Sequence, residues 1–202
     1  MPAYRPGASP DDPRIELLRD GSPREILARL AEGDPLGIRR LAAELVARGA
    51  WLIDAERLSH RALARIAFEA RRRAPNVALD PWLELQLETA AHELNEEQRE
   101  ELFARRPIET SPDVEFYRTL ADAMQVDIGL VRVVCVRANR LPEDRRRVFH
   151  ALAVRRLSVD DCVRAGLGSE RRVLELFAQA TLAITATLEQ FKDGRSEGEV
   201  AS

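Results

Sequence analysis

A pair of helices broken by glycine near the C-terminus constrains this chain more than any other stretch. From Ser169 onward, Val173, Phe177, Ala180, Ile184, Leu188 and Phe191 recur every three or four residues. That spacing lays them along one face of a single helix. Just before it, Ala165-Gly166-Leu167-Gly168 interrupts the pattern, and glycine supplies the backbone angles that a tight interhelical turn needs. Ser158-Val159-Asp160-Asp161 opens the preceding helix in the manner of a capping box. One helix further back, Leu141-Pro142-Glu143-Asp144 is another start signal, with proline where its missing N–H costs nothing and acids at the positive end of the dipole. Residues 139–191 are expected to form three successive helices, the last two a helix-turn-helix.

The same local signals run through the rest of the chain. Ser22-Pro23-Arg24-Glu25 is a capping box that starts a short helix through Leu30. Gly33-Asp34-Pro35 stops it and begins another, in which Leu41, Leu45 and Val46 share a face and which Gly49 ends. Asp54 opens a long helix to about Arg73 whose stripe is Ala55, Leu58, Ala62, Ile66 and Ala70, and a further helix is expected from Asp80-Pro81-Trp82-Leu83. Ser111-Pro112 caps a helix carrying Val114, Phe116, Leu120 and Met124, and Asp127 caps the next. The β-branched run from Val131 to Val136 lies within helical periodicity. The expected fold is all-α: two small helical domains, 13–104 and 113–192, joined by a proline-marked linker at 105–112, with disordered tails at 1–12 and 193–202.

Composition decides several exclusions. Hydrophobic residues at 45% suffice for a core, and aromatics at 5% point to Leu, Ala and Val packing between helices. No run approaches the ~18 apolar residues of a membrane span, and the opening residues lack the apolar segment of a signal peptide. A cytoplasmic protein without membrane contact is expected. Cys135 and Cys162 fall inside helical patterns and read as buried free thiols. His60, His92 and His150 lie on different helices, none at zinc spacing from the thiols. There is no nucleophile elbow, and Gly166-Leu167-Gly168 lacks the strand–turn–helix setting of a phosphate loop. No enzyme, cofactor or metal site is read. Charge is distributed unevenly: residues 76–103 hold eight carboxylates against Arg99 alone, net −7, whereas residues 131–182 hold eleven arginines against six acids, net +5.

Leu141-Pro142, Leu157-Ser158, Asp160-Asp161, Ser169-Glu170 and Val173 stand in an order that resembles the C-terminal promoter-reading domain of bacterial sigma factors, particularly the small extracytoplasmic-function type. No gap is needed between Leu157 and Val173. Asp54-Ala55-Glu56-Arg57-Leu58 is similar to the family's Asp-Ala-Glu-Asp-Leu helix, which binds the clamp helices of core RNA polymerase. Asp80-Pro81-Trp82-Leu83 sits where the family's promoter-melting helix starts. The two segments occur in family order and cover roughly two-thirds of the chain. The resemblance implies a transcription initiation factor whose partners are core RNA polymerase and double-stranded promoter DNA. It places polymerase contacts at Asp54, Glu56, Arg57, His60 and Arg61. A major-groove helix presents its N-terminal residues to base edges, so Arg171 and Arg172 are the candidates for reaching bases or phosphates, with Ser169 beside them as a further DNA-binding candidate. Arg155 and Arg156, with Arg145, Arg146 and Arg147, are candidates for the DNA backbone.

Three departures from the family pattern open a second reading. Arg57-Leu58-Ser59-His60-Arg61 stands where the family continues Asp-Leu-Val-Gln-Glu. Glu84, Glu88 and Glu93 follow Trp82, where a grip on single-stranded DNA calls for a positive groove with aromatic platforms, so Trp82 is expected in the core. Leu174 and Leu176 flank Glu175 where members often carry Lys and Arg. The alternative is a protein-interaction module that keeps the fold but has lost DNA and polymerase binding, with Leu174 and Leu176 as an apolar contact for a partner or a homodimer. A DNA-binding regulator that works without polymerase lies between the two; two-fold symmetry would be expected there, and the sequence shows none. Exposure of the two leucines separates the main readings.

Overall fold

A computed structural model of the chain describes residues 12–199, with side chains for residues 12–186. The tail expected at 1–12 therefore lies, but for Asp12, outside the described residues. Every regular element among the described residues is helical, with no strand, and none of these helices is long and apolar enough to cross a membrane. The described residues divide into two compact units, one of residues 12–46 and 53–94, the other of residues 47–52 and 95–199.

The N-terminal unit begins with a 3₁₀ turn, Pro13–Leu18, followed by α1 (Pro23–Ala31), α2 (Ile38–Gly49) up to residue 46, α3 (Ala55–Glu69), a 3₁₀ turn at Ala70–Arg72, and α4 (Leu79–Phe103) up to residue 94. Its starts are those the sequence marks. Ser22 and Glu25 form a reciprocal capping box, and the Asp34 carboxylate accepts from the Ile38 and Arg39 N–H groups at the head of α2, at 2.7 and 3.0 Å. Asp54 accepts from the Arg57 N–H at 2.7 Å, satisfying an otherwise orphan donor of α3. α1 packs against α3. Leu58, Ala62, Ile66 and Ala70 are buried, as the stripe predicts, together with Trp82, Leu83 and Leu87 of α4.

The C-terminal unit holds α5 (Val114–Met124), α6 (Ile128–Ala138), α7 (Glu143–Phe149), α8 (Val159–Arg164) and α9 (Glu170–Glu199). α6 is its central helix: Val131, Val134, Cys135 and Ala138 join Tyr117, Phe149, Ala180 and Ile184 in one apolar cluster. Cys135 and Cys162 are both free and buried. Backbone from 47 to 52 belongs here because two buried side chains hold it. The Leu52 N–H donates to Asn139 Oδ1 at 2.7 Å, and Asn139 Nδ2 donates to the Leu52 carbonyl at 3.2 Å. Arg146 Nε donates to the Gly49 carbonyl, and its guanidinium lies 4.1 Å from the Trp51 ring centroid. Gly49 admits no side chain: a Cβ there would sit 2.6 Å from the Trp51 indole.

Two boundaries differ from the sequence reading. The chain divides near Asn95 rather than at 105–112. Prolines mark 105–112 as a loop, but α4 is already tied to the second unit ahead of it: Gln98 donates to Asp113 at 3.1 Å, Ser111 donates to Glu101 at 3.0 Å, and Leu102 clusters with Val133 and Val136. The tail expected from 193 is helical backbone to Glu199, because no proline follows Ser169 to stop α9. Residues 200–202 lie outside the described residues, as do the side chains of Leu188 and Phe191.

Candidate nucleic-acid interface

The segment expected to be a helix-turn-helix forms α8, a turn and α9. Ser158 and Asp161 cap α8 reciprocally: the Ser158 N–H donates to Asp161 Oδ2 at 3.1 Å and the Asp161 N–H to Ser158 Oγ at 3.1 Å. The Ser158 bonds, with Arg164 nearby, hold the Asp161 carboxyl below its ordinary range. Gly166 and Gly168 have φ of +76° and +128°, left-handed values that favour glycine. α9 then buries Val173, Leu176, Ala180 and Ile184. Val173 and Leu176 pack with Val148, Ala151 and Cys162, and the Phe177 ring stacks on Phe149 with centroids 6.3 Å apart. The stripe that points inward fixes which residues of α9 face solvent.

Ser169, Arg171 and Arg172 are all on the exposed opening turn of α9. Ser169 Oγ accepts from the Arg172 N–H at 3.4 Å. The Arg171 side chain is 89% exposed and pairs with Glu175 at 2.8 Å, while Arg172 pairs with Asp144 of α7 at 3.0 Å. Arg155 and Arg156 are exposed just beyond α7. They are put there by a wide π turn at His150–Val154, which extends α7 without a break. Arg156 has φ of +53° and donates to the Ala123 carbonyl at 2.8 Å. Arg147 is exposed and Arg145 is half-buried.

Arg146 is a correction. It is buried, donating to the Gly49, Asn139 and Leu141 carbonyls, and burial lowers its affinity for its proton. It has no face to offer a phosphate. The two leucines part company: Leu174 is 48% exposed and Leu176 only 2%. Leu176 is three residues from buried Val173 and shares its face, so the expectation of an exposed leucine pair fails.

The polymerase-contact candidates lie on α3 of the N-terminal unit. Glu56 and His60 are exposed; Asp54, Arg57 and Arg61 are half-buried. Asp54 is occupied as the N-cap. Arg61 lies 3.7 Å from Glu93 of α4, which Arg65 also engages. Trp82 is buried in the core. Among the described residues, no three His, Cys, Asp or Glu side chains are grouped so as to hold a metal ion.

No known protein family, curated protein or solved structure matches the chain. Its chemistry therefore rests on the side chains themselves. The opening turn of α9 offers guanidinium groups whose hydrogen-bond geometry suits phosphate oxygens or a guanine edge. Sequence reasoning missed the acids that compete for them. Glu175 lies four residues after Arg171, a spacing that signals an ion pair on a helix. Asp144 carries the local sign of a helix-dipole acid alone, and its partner is 28 residues away.

Proposed function

We propose that this chain is a divergent sigma-like transcription initiation factor, acting in the cytoplasm and without catalytic chemistry of its own. In this reading α8 and α9 form a helix-turn-helix that docks on double-stranded promoter DNA, and the exposed face of α3 around Glu56 and His60 meets core RNA polymerase. The observation that carries it is the placement of Ser169, Arg171 and Arg172 together on the solvent-facing first turn of α9, with Arg155 and Arg156 exposed at the end of the preceding helix. A helix entering the major groove presents that turn to DNA. The competing ion pairs are exposed, and such pairs contribute only about 0–1 kcal/mol each, so phosphates can displace them.

Fluorescence anisotropy of a labelled mixed-sequence duplex, titrated across salt concentrations, tests the DNA half. Arg171→Gln with Arg172→Gln should weaken binding and make its salt slope shallower by about one per phosphate contact removed. An unchanged slope contradicts the assignment.

Exposed Leu174 favours the second reading, a protein-interaction module, although buried Leu176 removes half of its support. Leu174→Lys separates the two. A DNA reader gains affinity from the added charge, whereas an interface built on Leu174 dissociates in sedimentation velocity.

A further inference from the structure

The N-terminal unit contains a cavity of about 360 Å³ that the proposed transcription role does not use. Its size falls within the ~300–1,000 Å³ typical of small-molecule sites. The floor is apolar, made by Ile15 and Leu18 of the opening 3₁₀ turn and Ala70 at the end of α3, all three buried. The rim is cationic: Arg19, Arg71 and Arg73 stand against Asp20, the one carboxylate among the lining residues.

The rim charges are unequally neutralised. Arg19 is paired with Glu16. Arg71 and Arg73 donate to the Gly21 and Val77 carbonyls, which occupy some N–H groups but carry no countercharge. Glu25 of α1 is engaged by the Ser22 backbone and hydroxyl in the capping box and acts on Arg29 and Arg71 through charge alone, without an ion pair to either. The rim loop is also built in advance. Arg29 donates to the Arg19 and Asp20 carbonyls and Arg71 to the Gly21 carbonyl. These bonds hold Asp20 and Gly21 at φ of +43° and +121°. A ligand entering such a site does not have to order the loop, which removes one of the main costs of binding.

We propose that this cavity binds a small anionic amphiphile, its carboxylate or phosphate head at Arg71 and Arg73 and its short apolar body against Ile15, Leu18 and Ala70. Calorimetric titration of the full chain with octanoate, octyl phosphate, octyltrimethylammonium and acetate tests this. Octanoate or octyl phosphate should saturate a single site, and the tighter of the two identifies the head group. Acetate, without the body, should bind at least about tenfold more weakly, since each buried methylene contributes ~0.8 kcal/mol. Arg71→Gln with Arg73→Gln should weaken the anion about tenfold or more while leaving the helical circular dichroism unchanged. The head-group comparison on the unmodified chain stands even if that variant loses structure. The proposal is overturned if neither anion saturates, if the trimethylammonium analogue binds as tightly as octanoate, or if the folded double variant keeps full affinity.

Discussion

Asn139 uses both ends of its amide on the backbone of Leu52, and neither residue has water as a substitute, since they are 4% and 1% exposed. Asn139→Ala should therefore lower stability by about 2 kcal/mol in urea denaturation; a loss within error of zero would show that these bonds are replaced. Arg146→Met removes three carbonyl partners and the contact with Trp51 and should cost about 3 kcal/mol. Some of this was written in the sequence. Arg146 lies three residues before buried Phe149, so its helical phase already pointed inward. What could not be read was its partner, because Gly49 is 97 residues away. The same division holds at the opening turn of α9: the Arg171–Glu175 pair follows from local spacing, whereas Arg172–Asp144 exists only once α7 and α9 have packed. Neutralising either acid, by Glu175→Gln or Asp144→Asn, should strengthen duplex binding by a few fold in the anisotropy assay. Weaker binding would mean that the acids orient the arginines rather than compete with DNA.

Among the elements, α8 and α9 were legible because their signals are local. The Ser158–Asp161 box forms as the spacing predicts, and Ser158→Ala should cost about 1 kcal/mol by thermal or urea melting. The π turn after α7 was not legible. No glycine or proline marks it, and in the structure the Arg155 N–H at its end reaches back five residues to the His150 carbonyl. His150 itself is half-buried, and burial, with Arg155 adding to it, holds the imidazole below its ordinary value of 6.5. As pH falls through about 6.5 the unfolded chain therefore takes up this proton before the folded one does. The stability that neutral His150 contributes is present above that pH and is lost below it. His150→Gln should flatten the fall in stability between pH 7 and 5, measured as urea midpoints at several pH values. An unchanged pH profile would show that His150 titrates alike in both states.

For the whole molecule, the all-α class followed from helix periodicity and caps, each contained within a few residues of sequence. The division of the chain did not. It depends on Gln98 with Asp113, Glu101 with Ser111, and Leu102 with Val133 and Val136, contacts that join separate helices and leave no mark on local composition. Uneven charge was visible in the sequence, but its meaning was not. Acids of the 76–103 stretch are met by arginines, Asp80 by Arg14, Glu93 by Arg65 and Glu96 by Arg99 and Arg140, so the stretch is less repulsive than its net charge suggests. The most direct test is gel-filtration co-elution of the purified chain with bacterial core RNA polymerase at low and moderate salt, beside a Glu56→Lys/His60→Glu variant altered only at exposed positions of α3. We expect the unmodified chain to travel with the polymerase at low salt and the variant, equally helical, to elute alone. A folded, unmodified chain that elutes apart from the polymerase at both salts would contradict a sigma-like role.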